Sequence, residues 1–297
     1  LKLPRTGVVV TCGSQEAMTD AFMCVIDEGD EVLLPDPSFP AYDACTRIAQ
    51  GVPVYYRMPA DREFEFDIEH FRSQITEKTR AAVVISPSNP TGKILTEQNL
   101  RDIAAALDGT GIWLISDEIY SDLYFGERPH SASEYYDKTI IVSGLSKSLS
   151  MTGWRLGWAA CSDPEVINAI QVLHGFTTVC TSTITQKASL LGWSPEAEAA
   201  KRHAREVYKA RGEFLVDLFE KEMGLHATSP EGAFYTMLDV RSLGNDIEVA
   251  EKCLQNRVVT VPGVAFGQEA KGFLRISFCN TEEKMAEGVR RMREALT

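Results

Sequence analysis

One lysine of this chain lies among small residues, and its amine is suited to covalent chemistry. Lys147 follows an apolar stretch at 139–142, within the run SGLSKSLSMTGWRLG. Small neighbours let a bulky aldehyde approach the backbone, and an amine can form an imine with such an aldehyde. Arg155, in a second glycine-containing turn, offers a fixed fork for an anionic group such as a phosphate. A loop lysine near a loop arginine remains the alternative on these residues alone.

Polar residues also follow three further apolar stretches. The run SPSNPTG at 86–92 follows the apolar residues 81–85, SDEIY at 116–120 follows 113–115, and TCGSQE at 11–16 follows 8–10. In α/β chains, ligands bind at the carboxyl ends of the strands. The four segments together therefore predict a ligand site at one edge of a sheet.

These four segments, in this order, resemble the class I/II aminotransferases of the aspartate aminotransferase superfamily, which are fold-type I enzymes that use pyridoxal 5′-phosphate. The resemblance covers essentially the whole chain, and the segment around Lys147 matches most closely. It implies that Lys147 forms the Schiff base and then moves the α-proton of the substrate. It also implies that Asp117 pairs with the protonated ring nitrogen, so that the ring can accept electrons. For Asp117, a role as a turn or cap residue is the alternative.

The resemblance assigns the remaining cofactor contacts. It implies that Asn89 and Tyr120 hydrogen-bond the 3′-oxygen of the cofactor and that Phe39 stacks on its ring. Many members have a phosphate-binding serine three residues before the lysine, where this chain has Gly144, so Ser146 is expected to help instead. The main phosphate contacts are expected from the N-terminus of the helix that starts at Gly13, Ser14 and Gln15, together with Arg155.

Arg275 is a charged residue in the otherwise apolar run FLRIS at 273–277. A buried charge needs a partner. The resemblance implies that Arg275 grips the α-carboxylate of the substrate, with Asn89 as a second substrate contact. An ion pair within the chain is the alternative.

The order of apolar and amphipathic segments predicts an α/β fold. Strands are expected at 7–11, 31–35, 52–56, 81–86, 113–117, 139–143 and 155–161, and their continuous apolar character is typical of strands buried on both faces. With helices between them, they predict a mostly parallel seven-stranded sheet with helices on both faces. Shorter strands at 233–238, 258–261 and 273–278, with two helices at 246–255 and 282–295, predict a smaller C-terminal α+β domain. We place the large domain at 1–205 and the small domain at 206–297.

Capping residues predict where several helices begin. Ser14 is expected to cap a helix that runs to about residue 26, Thr96 a helix over 97–107, and Thr281 the last helix. Asp163 and Ser194 each precede a proline, which favours the first position of a helix. The helix after Ser194 is expected to run to about residue 223, where glycine follows.

The bulk composition excludes some classes of partner. The chain has 297 residues and a net charge of −12, which argues against nucleic acid and anionic membranes as partners. Its seven cysteines lack any C-x-x-C pair, which predicts reduced, mostly buried thiols in a cytoplasmic protein without a disulfide framework. The five histidines, His130 and His174 among them, show no metal-binding spacing, so no metal site is expected. Glu16 and Asp27 are expected at the solvated surface.

We therefore interpret the sequence as a transaminase that moves an amino group between an amino acid and a 2-oxo acid, acting as a homodimer. One alternative is other pyridoxal-phosphate chemistry on the same scaffold, such as a C–S lyase. The resemblance also implies a segment upstream of Leu1 that this sequence does not contain. A shortened chain that binds the cofactor but turns over poorly is the other alternative.

Overall fold

A seven-stranded mixed sheet forms the centre of the fold. The computed structural model of the chain describes residues 5–296. The strands are β1 (Val8–Thr11), β2 (Glu31–Asp36), β3 (Val52–Arg57), β4 (Thr79–Ile85), β5 (Trp113–Asp117), β6 (Thr139–Gly144) and β7 (Gly157–Ala160). Their order in the sheet is β1-β7-β6-β5-β4-β2-β3, in which β7 is antiparallel to both neighbours and the other pairs are parallel. This arrangement confirms the predicted fold class.

Helices cover both faces of this sheet. In β4, Ala81 and Val83 face one apolar cluster while Ala82 and Val84 face the other, as the two-residue period of a strand requires. Both clusters are buried, which explains why the strands read as continuous apolar runs. The helices of this part are α1 (Ser14–Val25), α2 (Ala41–Ile48), α3 (Ile68–Ser73), α4 (Glu97–Leu107), α5 (Pro164–Thr177) and α6 (Thr183–Ser189).

A three-stranded antiparallel sheet with its own apolar cluster forms the C-terminal part. Its strand order is β8-β10-β9, and the strands are β8 (Tyr235–Asp239), β9 (Val261–Pro262) and β10 (Phe273–Ser277). Strand β9 is shorter than the predicted 258–261. The helices are α7 (Pro195–Met223), α8 (Asp246–Gln255) and α9 (Glu282–Leu296). Because α7 runs without a break through position 205, the exact division into domains stays a prediction.

The observed helix caps agree with the sequence at four positions and differ at one. A backbone amide of the following helix donates a hydrogen bond to the side chain of Thr96, Asp163, Ser194 and Thr281. At α1 the prediction was wrong, because Gly13 is the N-cap and Ser14 is the first helical residue. The first amides of α1 consequently donate no hydrogen bond to a capping side chain.

The cysteines are less buried than the sequence suggested. All seven are free, but only Cys45, Cys161 and Cys253 are buried, while Cys180 and Cys279 are exposed. Within residues 5–296, no helix combines the length and the apolar character that a membrane crossing would need.

Candidate functional site

The candidate site lies at the edge of the large sheet where the parallel strands end. Strands β1, β4, β5 and β6 run in the same direction, so the residues that follow them meet at one edge. Strand β7 runs the opposite way and begins at that edge. The structure therefore brings together the ends of the four segments that the sequence singled out: Gly13, Asn89, Asp117, Lys147 and Arg155.

Asp117 is a buried carboxylate at the end of β5. Its Oδ2 accepts a hydrogen bond of 2.7 Å from the hydroxyl of Tyr42, and its Oδ1 accepts one of 3.1 Å from the Ile119 amide. Burial raises the pKa of Asp117 to about 6, although these hydrogen bonds and the charge of Lys147 oppose that rise. Phe39 is half-buried and packs edge-on against Tyr42, with ring centroids 5.8 Å apart. The carboxylate is thus held in place and would gain from a cationic partner.

Lys147 lies in the loop after β6 and faces aromatic rings. Its Nζ is 5.8 Å from the ring centroid of Tyr120 and 5.7 Å from that of Phe234. Burial lowers its pKa, and the positive charges of Arg275 and Arg155 lower it further, against the opposing effects of Cys279 and Asp117. A lowered pKa increases the fraction of neutral amine, which is the form that attacks a carbonyl carbon.

Arg275 lies in β10 with its guanidinium between two rings. Its Cζ is 4.4 Å from the ring centroid of Tyr235 and 4.7 Å from that of Phe266. Its Nη1 donates a hydrogen bond of 2.8 Å to Asn89 Oδ1, and its buried Nε has no hydrogen-bond partner among the described residues. No carboxylate of the described part of the chain forms a salt bridge with it, which rules out, for these residues, the ion pair considered from the sequence. A fork held in place with an unused donor is suited to an external carboxylate.

Tyr120 connects the lysine to the arginine. Its hydroxyl lies 3.2 Å from that of Tyr235, whose ring contacts Arg275. Burial raises the pKa of Tyr120 well above its usual value, so this hydroxyl stays protonated and can donate a hydrogen bond. Asn89 and Tyr120 are therefore connected indirectly. Asn89 contacts Arg275, which packs on the ring of Tyr235, and Tyr235 contacts Tyr120.

The N-terminus of α1 and Arg155 form a candidate anion-binding part of the site. Arg155 Nη2 donates to the Cys12 carbonyl at 3.3 Å, and Nη1 donates to the Thr152 carbonyl at 3.0 Å. A Cβ atom added to Gly13, where φ is +88°, would overlap Arg155 Nη2, so a side chain there would strain the backbone and displace the guanidinium. The guanidinium is thus fixed beside the uncapped first amides of α1, those of Ser14 and Gln15, where the helix dipole favours negative charge.

The structure explains why a glycine precedes the lysine at position 144. A Cβ on Gly144 would come within 2.8 Å of the Leu156 carbonyl oxygen and 3.0 Å of the Gly157 Cα. The close approach of β6 to β7 therefore leaves no room for a side chain there. Ser146 is buried next to Lys147, and its role as a substitute contact stays a prediction.

The expectation that Glu16 is a solvated surface residue was wrong. Its carboxylate accepts hydrogen bonds from the Cys12 amide, from the Thr178 hydroxyl and, at 3.1 Å, from His174 Nδ1. Burial raises the pKa of Glu16, but these hydrogen bonds bring it below its usual value. Glu16 thus ties the first turn of α1 to α5. Asp27 is exposed, as expected.

Several residues of the site carry no recognisable signal in the sequence. Tyr42 lies inside an amphipathic helix and reads as an ordinary core residue. The aromatic side chains around Lys147 and Arg275 read as core residues of the C-terminal part. The residues that sequence reasoning missed are Tyr42, Phe234, Tyr235, Phe266 and Cys279.

Known proteins are similar to this chain in sequence. Residues 1–292 match the family "Aminotransferase class I and II". A probable aspartate aminotransferase of Methanocaldococcus jannaschii is 33% identical over 97% of this chain and 77% of its own length. A probable aspartate/prephenate aminotransferase of Aquifex aeolicus is 36% identical over 97% of this chain and 75% of its own length.

Solved structures agree with the sequence matches. The aspartate aminotransferase of Thermus thermophilus with maleate superimposes with a TM-score of 0.95 at 33% identity, covering 100% of this chain and 78% of that one. The aromatic aminotransferase of Pyrococcus horikoshii gives 0.94 at 33% identity, covering 99% and 80%. The family match, the similar sequences and the similar structures therefore agree, and the chain belongs to the class I and II aminotransferase family.

Proposed function

We propose that this chain is an aminotransferase that moves an amino group between an amino acid and a 2-oxo acid with pyridoxal 5′-phosphate as its cofactor. One observation carries the proposal. Three groups meet at one sheet edge: a lysine whose pKa is lowered, a buried carboxylate and a half-buried guanidinium without an ion-pair partner among the described residues. They correspond to an amine that reacts with an aldehyde, a partner for a ring cation and a grip for a carboxylate.

The residues present fit pyridoxal phosphate. The uncapped amides of Ser14 and Gln15, with Arg155 beside them, form a site for its phosphate. Asp117 is a buried carboxylate without a salt bridge among the described residues, so it is suited to the ring nitrogen of the cofactor. When bound, the cofactor supplies a reactive aldehyde and an electron-withdrawing ring. The relatives' family uses this group, and Phe39, Asn89, Tyr120 and Ser146 complete the proposed set of contacts.

The roles of the chain's own residues follow from their surroundings. Lys147 Nζ holds the cofactor covalently and, once released, is the base that removes the proton from the substrate Cα. Asp117 keeps a proton on the ring nitrogen, because a buried carboxylate is stabilised by a cation beside it. Arg275 binds the substrate carboxylate and orients Cα towards Lys147, while Asn89 holds the guanidinium fork.

A half-reaction with single amino acids tests this function. We expect protein loaded with pyridoxal phosphate to convert an amino acid stoichiometrically into its 2-oxo acid and to retain the nitrogen until a second 2-oxo acid is added. The oxo acid is measured by mass spectrometry and the retained nitrogen with a ¹⁵N-labelled donor. Release of free ammonium, or of sulfide from a sulfur amino acid, in every turnover would favour lyase chemistry instead.

Replacing Arg275 by lysine tests the carboxylate grip. Because lysine cannot present two parallel donors, we expect KM for the amino acid to rise by roughly 10- to 100-fold, with a smaller change in kcat. Steady-state kinetics measure both constants. The matched control is Arg202→Lys on the exposed face of α7. An unchanged KM in Arg275→Lys would contradict the assignment.

We also propose a homodimer. The segment 176–191 carries large apolar side chains that are mostly exposed, with Phe176 at 89% and Leu191 at 71%. Exposed apolar side chains concentrated in one segment are typical of a protein interface. We expect sedimentation velocity to show a dimer that Leu190→Asp with Leu191→Asp converts to a monomer, while Leu254→Asp on α8 leaves it intact. A monomeric parent protein would refute this proposal.

A further inference from the structure

A second cluster of potential ligands lies between α1 and α5, away from the lysine. Glu16 and Asp20 are four residues apart on α1 and therefore share one face of the helix. His174 reaches them from the last turn of α5. One ligand atom from each of the three residues lies within 4.8 Å of the other two. All three side chains are largely screened from solvent, with Asp20 3% and His174 7% exposed.

Asp20 is the unexplained member of this cluster. Its Oδ2 is buried and has no hydrogen-bond partner among the described residues. Glu16, in contrast, accepts hydrogen bonds from the Cys12 amide, Thr178 and His174. Burial and the charge of Glu16 raise the pKa of Asp20 to about 6. A buried carboxylate with an unpartnered oxygen, beside a second carboxylate and an imidazole and without a bridging cation, is costly unless something binds there.

We propose that Glu16, Asp20 and His174 form a binding site for one divalent transition-metal ion of the zinc class, with a water as the fourth ligand. One imidazole nitrogen and two carboxylate oxygens are the donor set that zinc accepts. Magnesium and calcium prefer oxygen ligands alone, so the imidazole discriminates against them. Ligand atoms around a tetrahedral zinc lie about 3.3 Å apart. Small side-chain rotations close the observed cluster onto the ion once the metal replaces the proton between His174 and Glu16.

The position of the cluster indicates a structural role for the ion. Glu16 belongs to the first turn of α1, directly after the amides of Ser14 and Gln15 that we assign to the anion site. A metal ion would connect this turn to the end of α5 and add positive charge behind those amides. The inference does not depend on the proposed transaminase activity, because it concerns side chains that take no part in that chemistry.

Metal titration of the chelator-treated protein tests the proposal. We expect Zn²⁺, in competition with a chromophoric chelator, to bind at one ion per chain and to raise the melting temperature, while Mg²⁺ and Ca²⁺ at equal concentration do neither. Asp20→Asn and His174→Gln should each weaken Zn²⁺ binding by more than about 100-fold. The matched control, Asp27→Asn in the exposed turn after α1, should bind Zn²⁺ like the parent.

Asp20→Asn is expected to fold, because it removes a buried carboxylate oxygen that has no partner. If either variant fails to fold, the absorption spectrum of the parent protein loaded with Co²⁺ identifies the ligands instead. Its d–d spectrum should be that of a tetrahedral site of nitrogen and oxygen ligands, without the near-ultraviolet band of a cobalt–thiolate bond. Failure of Zn²⁺ to bind, retention of binding in a folded Asp20→Asn or His174→Gln, or a thiolate band from the cysteines would each overturn the proposal.

Discussion

Replacing Lys147 by alanine is expected to abolish both the covalent attachment of pyridoxal phosphate and measurable transamination. The lysine is the amine with a lowered pKa that faces the site, and such an amine attacks an aldehyde carbon. Borohydride reduction followed by peptide mapping should locate the cofactor on Lys147 in the parent protein and nowhere in the variant. Non-covalent binding should survive, because the anion site of α1 and Arg155 is untouched.

The matched control for this experiment is Lys252→Ala, an exposed lysine of α8. It should retain both the reduced adduct and the parent turnover. A reduced adduct on a lysine other than 147 would contradict the assignment, even if the Lys147→Ala variant were inactive for other reasons.

Replacing Asp117 by alanine is expected to lower kcat by roughly 10²- to 10³-fold, because a buried charge that stabilises the reacting group is lost. The covalent attachment of the cofactor to Lys147 should remain. Steady-state kinetics with matched cofactor occupancy measure the effect, with Asp217→Ala on the exposed face of α7 as the control. Tyr42→Phe, which removes one hydrogen bond but keeps the carboxylate, should cost much less. Turnover of Asp117→Ala close to that of the parent would refute the role.

The raised pKa of Asp117 predicts a pH effect on the cofactor-free protein. The folded-state value of about 6 lies above the ordinary 3.8, so this group favours the folded state below pH 3.8 and loses that contribution as the pH rises through 6. Between pH 3.8 and pH 6, the free energy of unfolding of the cofactor-free parent should fall by up to about 3 kcal/mol relative to that of Asp117→Asn. Denaturant unfolding at both ends of the window measures it. Equal pH dependence in both proteins would show that Asp117 is not the buried acid described here.

Local sequence determined the positions at which the site is built. Each of three features is visible within a few consecutive residues: a lysine among serines and glycines, an aspartate directly after an apolar strand, and a glycine before an amphipathic helix. The strand–helix order then predicts a mostly parallel sheet, and parallel strands place their carboxyl ends at one edge. Lys147, Asp117 and Gly13 could therefore be assigned to one site before the fold was known.

The partners of these residues were decided only by tertiary structure. Tyr42 reaches Asp117 from another helix, Arg275 reaches Asn89 from the C-terminal sheet, and His174 reaches Glu16 from α5. The hydrophobic periodicity of a helix or strand predicts which of its sides is buried, but not which polar atom of another element lies opposite that side. That depends on how elements distant in the sequence pack, and a buried polar group takes whichever partner the packing supplies. For this reason Glu16 reads as a surface residue in the sequence and is a partner of His174 in the fold.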